Sequence, residues 1–127
     1  MTSRSEVEQL LRALYATRIA GRRDELCALF AEQSRFRIGG TSDGKPISVS
    51  ANGAAEIRTW LTMFVKTFKI SEHEILSMVI EGERAAVHWR ANIHSRITGT
   101  LVPTELVDLI EVRSAHITSY VEFFLPV

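Results

Sequence analysis

The fold is decided by the stretch ISEHEILSMVIEGERAAVHWRANIHSRI, residues 70–97. Apolar and polar residues alternate along most of it, with a period close to two. The alternation is interrupted at Glu81-Gly82-Glu83, which is typical of a tight turn between two strands. We therefore predict a long antiparallel hairpin with strands over Ile70–Glu81 and Arg84–Ile97.

Two further strands are predicted after this hairpin, over Thr104–Val112 and Ile117–Leu125. The connections before them, residues 98–103 and 113–116, are short. Consecutive strands joined by short turns pair antiparallel, so the C-terminal half is predicted to be a four-stranded meander.

Before residue 69 the apolar period is 3.6, and helices predominate. The predicted elements are helices over residues 5–20, Arg23–Gln33 and Ala54–Phe68, a half-buried strand over Ser34–Ile38 and a turn-rich loop over Gly39–Pro46. We place the N-cap of the first helix at Ser5 and its C-terminal stop at Gly21. This order of elements predicts an α+β fold, with three helices packed on one face of a curved, mainly antiparallel sheet.

The composition is that of an ordinary globular protein. The 127 residues, 46% hydrophobic and 24% charged, suffice for one domain over residues 1–127. Fifteen Lys and Arg balance fifteen Asp and Glu, and the formal net charge is zero. A neutral chain without a basic run lacks the field that binds a phosphate backbone, which argues against nucleic acid and against anionic membranes as partners. Near-zero charge favours self-association, so we expect an oligomer.

The sequence indicates a cytoplasmic protein. A single cysteine, Cys27, lies in the apolar stretch 26–30 and excludes an internal disulfide and a cysteine-rich zinc site. Residues 1–6 show no apolar signal segment behind a basic head. No apolar run approaches the roughly 18 residues that a membrane helix needs.

Four segments, taken in order, are typical of one superfamily. They are Ala28–Ala31 ending helix two, Gly53–Arg58 opening helix three, Val107–Val112 and Ile117–Phe124. With them the chain resembles, over nearly its whole length, the cone-shaped NTF2-like superfamily, in particular its SnoaL-like and ketosteroid-isomerase-like branch. The resemblance implies a cystatin-like cone of three helices and a curved sheet, a small apolar ligand inside the cone, and no cofactor.

The strand Arg84–Ile97 separates by parity into two faces. Val87, Trp89, Ala91 and Ile93 form the apolar set, which we expect to line the cone. His88 and His94 belong to the other set, on the convex face of the sheet. Their even spacing would suit a metal, but no third ligand is evident on that face, and we predict no metal site.

Asp108 is the most informative candidate, because every neighbour in Leu106–Ile110 is apolar. An isolated ionised carboxylate there would be costly, so Asp108 must be paired, hydrogen-bonded or protonated. It is either a structural carboxylate, bonded to an Arg or capping a loop, or a catalytic acid of raised pKa. In the ketosteroid-isomerase branch the matching strand position holds the Asp of the oxyanion hole, an acid known to stay neutral.

Glu122 is the second catalytic candidate, and its direction depends on the turn before Ile117. A three-residue connection would place Asp108 opposite Glu122, where two carboxyls in an apolar cone would share a proton. A two-residue turn would place Val121 opposite Asp108 and turn Glu122 outward. The limonene-epoxide-hydrolase-like branch has an acidic residue at the position of Glu122, which favours the first register. The alternative is an exposed acid or an acid at a dimer rim.

Aromatic and Met side chains indicate the kind of ligand. The predicted ligand-binding residues are Tyr15, Trp60, Phe64, Met78, Trp89, Tyr120 and Phe124. Core packing alone would also account for most of them. As a pocket, they would suit a flat or alicyclic apolar molecule with one or two oxygens.

The chain departs from both characterised branches that it resembles. The isomerase places its general base on the first strand, where this chain has Ile38 and Gly39, and its pocket tyrosine at Leu14, one residue before Tyr15. The epoxide hydrolase needs an Arg and an Asp at the inward positions held by Trp89 and Ala91. The remaining resemblance is to SnoaL-like cyclases, which use few acidic residues.

Two functions follow from these residues. The first is an isomerase, cyclase or dehydratase in which Asp108 and Glu122 move a proton, and it calls for a cavity at both carboxyls with no Arg neutralising either. The second is a non-catalytic ligand carrier or protein-interaction module, indicated by a filled cone or an Arg on Asp108. In both cases we expect a homodimer through the convex face, whose Val107 and Leu109 are too apolar to stay in water.

Overall fold

The computed structural model describes residues 1–127 and contains three helices and one open six-stranded sheet. The helices are α1 (Arg4–Ala20), α2 (Arg23–Ala28) and α3 (Ala54–Thr67). The strands are β1 (Phe30–Ser42), β2 (Lys45–Asn52), β3 (Phe68–Glu81), β4 (Arg84–Ser95), β5 (Leu101–Arg113) and β6 (His116–Pro126). The sheet order is β2-β1-β6-β5-β4-β3, and β1 with β6 is its one parallel pair. The predicted α+β architecture and the C-terminal meander are confirmed.

The N-cap of helix α1 lies two residues earlier than predicted. Ser3, not Ser5, is the N-cap: its hydroxyl accepts a hydrogen bond from the Glu6 amide at 3.2 Å, and the Glu6 carboxylate accepts one from the Ser3 amide at 3.0 Å. This reciprocal capping box satisfies two amides that a cap at Ser5 would leave free. The predicted C-terminal stop at Gly21 is confirmed, with a left-handed φ of 73°.

The first half of the sheet has more and longer strands than the sequence predicts. Helix α2 ends at Ala28 rather than Gln33, and β1 starts at Phe30. Most of the predicted loop over Gly39–Pro46 belongs to strands β1 and β2. Only Asp43 and Gly44, with φ of 53° and 74°, form the turn of the hairpin between them. Pairing with β2 on one side and β6 on the other overrides the weak local signal of these residues.

Gly40 lies where β1 passes directly under the last aromatic residue of β6. A Cβ at Gly40 would lie 2.5 Å from the Phe124 carbonyl oxygen and 2.7 Å from its ring. We therefore expect Gly40→Ala to lower the free energy of unfolding by about 1–3 kcal/mol, the usual cost of overpacking. Gly39→Ala is the matched control, because its nearest contact, with Phe123, would be 3.7 Å. Urea unfolding measures both, and equal losses would contradict the clash.

The core lies between the inner face of the sheet and the helices, and α1 supplies more of it than α3. It comprises 23 buried hydrophobic residues. On α3 only Ile57 and Leu61 are fully buried, while Trp60, Phe64 and other apolar side chains stay half-buried. Helix α3 therefore leaves more of its apolar surface uncovered than α1 does. No helix of the protein has the length and apolar character needed to cross a membrane.

A β-bulge in β3 changes which side chains face the core. Ser71 pairs with Asn92 and Glu74 with Arg90, so Glu72 and His73 together oppose one residue of β4. Glu72 has a φ of 52°, a left-handed conformation that is uncommon outside glycine. The extra residue reverses the parity of the strand, and His73 turns inward.

The turn between β5 and β6 differs from the prediction, although the predicted register is right. The connection is the two-residue turn Ser114-Ala115, with Arg113 paired to His116. A bulge then adds Thr118 to β6, because Val112 pairs with Ile117 but Glu111 pairs with Ser119. The bulge supplies the residue that the shorter turn removes.

Candidate functional site

The two candidate carboxyls meet in the interior. Asp108 on β5 pairs with Glu122 on β6, and their side chains are 0% and 2% exposed. The Tyr120 hydroxyl links the two carboxyl groups, because it lies 2.9 Å from Oδ2 of Asp108 and 2.6 Å from Oε2 of Glu122. Two carboxylates this close cannot both be ionised at low cost, so the pair acts as one acid–base unit.

The donors around Asp108 converge on one of its two oxygens. Oδ2 accepts hydrogen bonds from the Tyr15 hydroxyl at 2.6 Å and the Trp89 indole at 2.8 Å. The Tyr120 hydroxyl lies 2.9 Å from the same oxygen. Oδ1 is buried and has no donor. A proton on Asp108 therefore belongs on Oδ1.

Glu122 is held by an arginine from α1. Arg18 donates to both carboxylate oxygens of Glu122, at 2.6 Å and 3.1 Å, and the Tyr120 hydroxyl donates to Oε2 at 2.6 Å. The Arg18 side chain is 16% exposed, and its guanidinium lies 5.5 Å from the centre of the Trp89 ring. This partner of Glu122 was not predicted, although Arg18 falls four residues after Leu14 on the buried stripe of α1.

These surroundings separate the two carboxyl pKa values. Burial, and then the negative Glu122, raise the pKa of Asp108 well above its ordinary value of 3.8. Burial alone would raise the pKa of Glu122 too, but the charge and hydrogen bonds of Arg18 outweigh it and lower that pKa below 4.5. The opposite directions of the two pKa shifts make Glu122 the member of the pair that ionises first and Asp108 the member that keeps a proton to higher pH.

Both tyrosines of the cluster remain proton donors. Burial, followed by the charge of Asp108, raises the pKa of Tyr15 and Tyr120 well above 10. Each hydroxyl has a single hydrogen to donate. If Asp108 is neutral, the Tyr120 hydroxyl donates its hydrogen bond to the ionised Glu122. The cluster of Arg18, Asp108 and Glu122 then carries no net charge, which lowers the cost of burying it.

A histidine that the sequence reasoning passed over borders this cluster. The His73 ring lies 5.5 Å from the Tyr15 ring and 5.2 Å from the Trp89 ring, centre to centre. Its Nε2 is buried and has no hydrogen-bond partner. Simple alternation from the buried Ile70 places His73 on the outer face, and only the bulge at Glu72 turns it inward.

The predicted ligand-binding residues divide into two groups. Tyr15, Trp89 and Tyr120 surround the carboxyl pair and are at most 3% exposed. The others are half-buried against the core: Trp60, Phe64, Met78 and Phe124. A series of aromatic contacts joins the groups, from Trp60 to Phe64 (5.9 Å), Phe36 (6.3 Å) and Tyr120 (5.5 Å).

A surface cleft of the protein lies away from the carboxyl pair. It has a volume of about 540 Å³ and is lined by the α1–α2 turn, residues 21–25, and by Thr62, Val65 and Lys66 of α3. Neither carboxyl contributes to it. The interior around the carboxyl pair is occupied by protein side chains, so a ligand reaches Asp108 only if some of them move.

The convex face of the sheet is apolar at its centre. Val107, Leu109 and Phe123 are 36%, 45% and 42% exposed. His88 also faces outward, against Glu105. The predicted parity of β4 is therefore confirmed, since Val87 and Trp89 are fully buried on the opposite face.

The chain is similar to a family of small α+β proteins. A family model described as a SnoaL-like domain matches residues 11–120. An NTF2-like protein from Burkholderia xenovorans LB400 is 25% identical with a TM-score of 0.79, over 98% of this chain and 92% of that one. A search of curated proteins finds no significant match.

Two further solved structures share the fold at lower identity. A Catenulispora acidiphila protein with a ketosteroid isomerase-like fold, in complex with trimethylamine, is 17% identical with a TM-score of 0.71, over 89% of this chain and 82% of that one. An LEH-like epoxide hydrolase from M. tuberculosis is 14% identical with a TM-score of 0.73, over 94% and 83%. At this identity the likeness shows the fold alone.

Proposed function

Since the chain belongs to the SnoaL-like family of NTF2-like proteins, whose model spans residues 11–120, we propose that it binds a small apolar molecule within the cone and acts on it by acid–base chemistry. The reaction class is an isomerisation, an aldol-type cyclisation or a dehydration without a cofactor. Asp108 is the proposed acid, and Glu122 is the charged partner that opposes its ionisation.

The observation that carries this proposal is the fully buried carboxyl of Asp108, which lies beside Glu122 and has its hydrogen-bond donors on one oxygen only. Tyr15 and Trp89 saturate Oδ2, which leaves the proton on Oδ1 as a donor. A neutral acid in an apolar site stabilises negative charge that develops on a ligand oxygen, because no water competes for the hydrogen bond.

Glu122 supports this role through its fixed charge. Its carboxylate accepts from Arg18 and Tyr120, so it stays ionised, and its negative charge opposes ionisation of Asp108. Full loss of the Asp108 proton would leave two adjacent buried anions and one cation. Asp108 therefore acts on a ligand oxygen chiefly by hydrogen bonding. The negative charge of Glu122 keeps Asp108 protonated.

The proposed ligand is a flat or alicyclic ketone, and it enters beneath α3. The half-buried Trp60 and Phe64 on α3 contact Phe36 and then Tyr120, so an unbroken series of aromatic rings leads from the surface to the carboxyl pair, and the ligand enters by displacing some of these rings. Such walls bind apolar rings, and the polar groups at the inner end orient an oxygen.

A thermal-shift series tests the proposal with three ketones of increasing size: 2-tetralone, carvone and a 3-ketosteroid. We expect at least one ketone to raise the Tm of the wild type. The variant Asp108→Asn should keep the fold and bind the same ketone but no longer convert it. The matched control is Glu111→Gln, an exposed acid on the same strand. The absence of any Tm shift with all three, or unchanged turnover in Asp108→Asn, would rule out the proposed role.

The second candidate is a non-catalytic carrier or interaction module. Two observations favour it: Arg18 neutralises Glu122, and side chains cover Asp108, whereas the enzyme was expected to have a cavity at both carboxyls and no Arg on either. A carrier would bind a ketone without exchanging its protons or changing it chemically. Ligand binding with no reaction in the wild type would therefore select this function.

In either function we expect a homodimer through the convex face. Val107, Leu109 and Phe123 form an exposed apolar centre, and Arg37 lies 5.9 Å from the Phe123 ring beside it. A two-fold axis through the face would cover these side chains on both copies.

Light scattering at micromolar concentration checks this expectation. The wild type should have twice the chain mass, and Leu109→Glu should reduce it to the chain mass. Met63→Glu on α3, at a residue that is 37% exposed, should remain dimeric. A monomeric wild type would contradict the dimer.

A further inference from the structure

His73 lies next to a backbone conformation that is uncommon for a residue other than glycine. It is turned inward by a bulge whose other residue, Glu72, has a φ of 52°. A left-handed non-glycine residue is strained, and such strain is concentrated at functional sites. Bulges likewise often re-aim a side chain beside an active site.

The inward imidazole also leaves a polar atom without a partner. Nε2 of His73 is buried with no hydrogen bond, although the residue as a whole is only half-buried. Burial, and then the positive charge of Arg18, lower the pKa of His73 below 6.5. The ring is therefore neutral at pH 7, and in the tautomer with its proton on Nδ1 it presents the lone pair of Nε2.

His73 lies one side chain away from the proposed acid. Its ring contacts Tyr15 and Trp89, which are the two residues that donate to Asp108. An aromatic wall thus has a neutral acid at one end and an unpartnered basic nitrogen at the other. Glu122 is a poorer base than this nitrogen, because three hydrogen bonds from Arg18 and Tyr120 occupy its carboxylate.

We propose that His73 is the general base of the site and takes a proton from the carbon beside the carbonyl of the proposed ketone ligand. In the proposed step the C–H bond beside the carbonyl breaks, and its proton goes to Nε2 of His73. The electron pair forms the C=C bond of an enolate, and the negative oxygen accepts a hydrogen bond from Asp108. If the substrate has a second C=C bond next to this carbon, return of the proton from Nε2 of His73 to the far end of that bond moves the double bond into conjugation with the carbonyl and completes an isomerisation, with no oxidant or co-reactant required.

This inference rests on the proposed function, and proton exchange tests it without knowledge of the natural substrate. The probe is 2-tetralone in D₂O, with loss of the protons beside its carbonyl followed by NMR. We expect the wild type to accelerate the exchange over buffer and His73→Phe to reduce that acceleration about 100-fold or more, the usual contribution of a general base. The Tm increase caused by 2-tetralone should persist in His73→Phe, since the aromatic wall remains.

Three controls separate catalysis from structure. His94→Phe, on the outer face of β4, should exchange within about twofold of the wild type. His73→Phe should not lower the Tm of the ligand-free protein, because it removes a buried nitrogen that lacks a partner. His73→Gln keeps a hydrogen-bonding group but no base, and it should be as slow as His73→Phe.

The outcomes distinguish this inference from the function on which it rests. If exchange persists in His73→Phe but is lost in Asp108→Leu, the base is another group and the assignment of His73 is wrong, while the proposed function stands. Recovery of exchange by His73→Gln, or a Tm loss of several degrees in ligand-free His73→Phe, would also overturn the assignment. If 2-tetralone binds to the wild type without exchange, the acid–base function is wrong and His73 loses its role with it.

Discussion

Replacing Arg18 by Met is expected to lower the free energy of unfolding by about 3–5 kcal/mol, the usual loss when one partner of a buried ion pair is removed. Glu122, which is 2% exposed, would then keep its charge beside Asp108 without a counter-ion, or take up a proton at a cost. Urea unfolding at pH 7 measures the change. The matched control is Arg12→Met, in an exposed pair with Glu8 on the same helix, which should change stability by less than about 0.5 kcal/mol.

A double variant separates the charge of Glu122 from the packing of Arg18. Arg18→Met combined with Glu122→Gln should be more stable than Arg18→Met alone, because the uncompensated carboxylate is gone. A double-mutant cycle with Glu122→Gln then gives a coupling energy of the order of 1–3 kcal/mol. Additive losses, or a loss below about 1 kcal/mol in Arg18→Met, would show that the pair is screened by solvent.

The second large effect is a pH dependence of stability that Asp108→Asn removes. The pKa of Asp108 is raised in the folded protein from an ordinary value of 3.8. Below pH 3.8 both states hold the proton, and the contribution of Asp108 to stability is complete. As the pH rises, the unfolded chain releases the proton while the folded protein keeps it. Wild-type stability therefore falls relative to Asp108→Asn, by up to about 1.4 kcal/mol per pH unit until the folded pKa is reached.

Urea unfolding at intervals from pH 5 to 8 measures this difference. The contribution of Glu122 to stability has the opposite pH dependence, because folding lowers its pKa. That contribution is present above pH 4.5 and is lost only as the pH falls through the folded pKa. It is ionised in both states over the chosen range and does not obscure the result. Glu111→Gln should follow the wild type. A constant difference between wild type and Asp108→Asn across this range would mean that Asp108 is ionised in the folded protein.

Local patterns were sufficient for most of the architecture. The alternation along β4 predicted that Trp89 and Val87 point inward, and both are fully buried. Asp108 was identified because all its neighbours in the strand are apolar, and it is fully buried. In each case the signal is a property of a few consecutive side chains, which prefer water or the core in any context.

The failures share a physical cause, which is pairing between distant parts of the chain. Strand β2 and the start of β1 exist because β1 pairs on both sides, and the residues 39–46 carry only a turn signal of their own. His73 was missed because a bulge reverses parity without an apolar or glycine marker at Glu72. The right register for Glu122 was reached through the wrong turn, since a bulge at Thr118 compensates for a shorter connection.

The sequence alone thus decided that helices cover one face of a long antiparallel sheet and that an acid stands in the apolar strand β5. Tertiary structure decided which groups surround that acid and therefore how readily it ionises. Tyr15 and Arg18 lie 93 and 104 residues from their partners Asp108 and Glu122, and only folding brings them into contact. A side chain carries its own preference for water or the core, whereas a carboxyl's protonation depends on the charges and donors that surround it. Those surroundings, and the inward turn of His73, exist only in the folded protein.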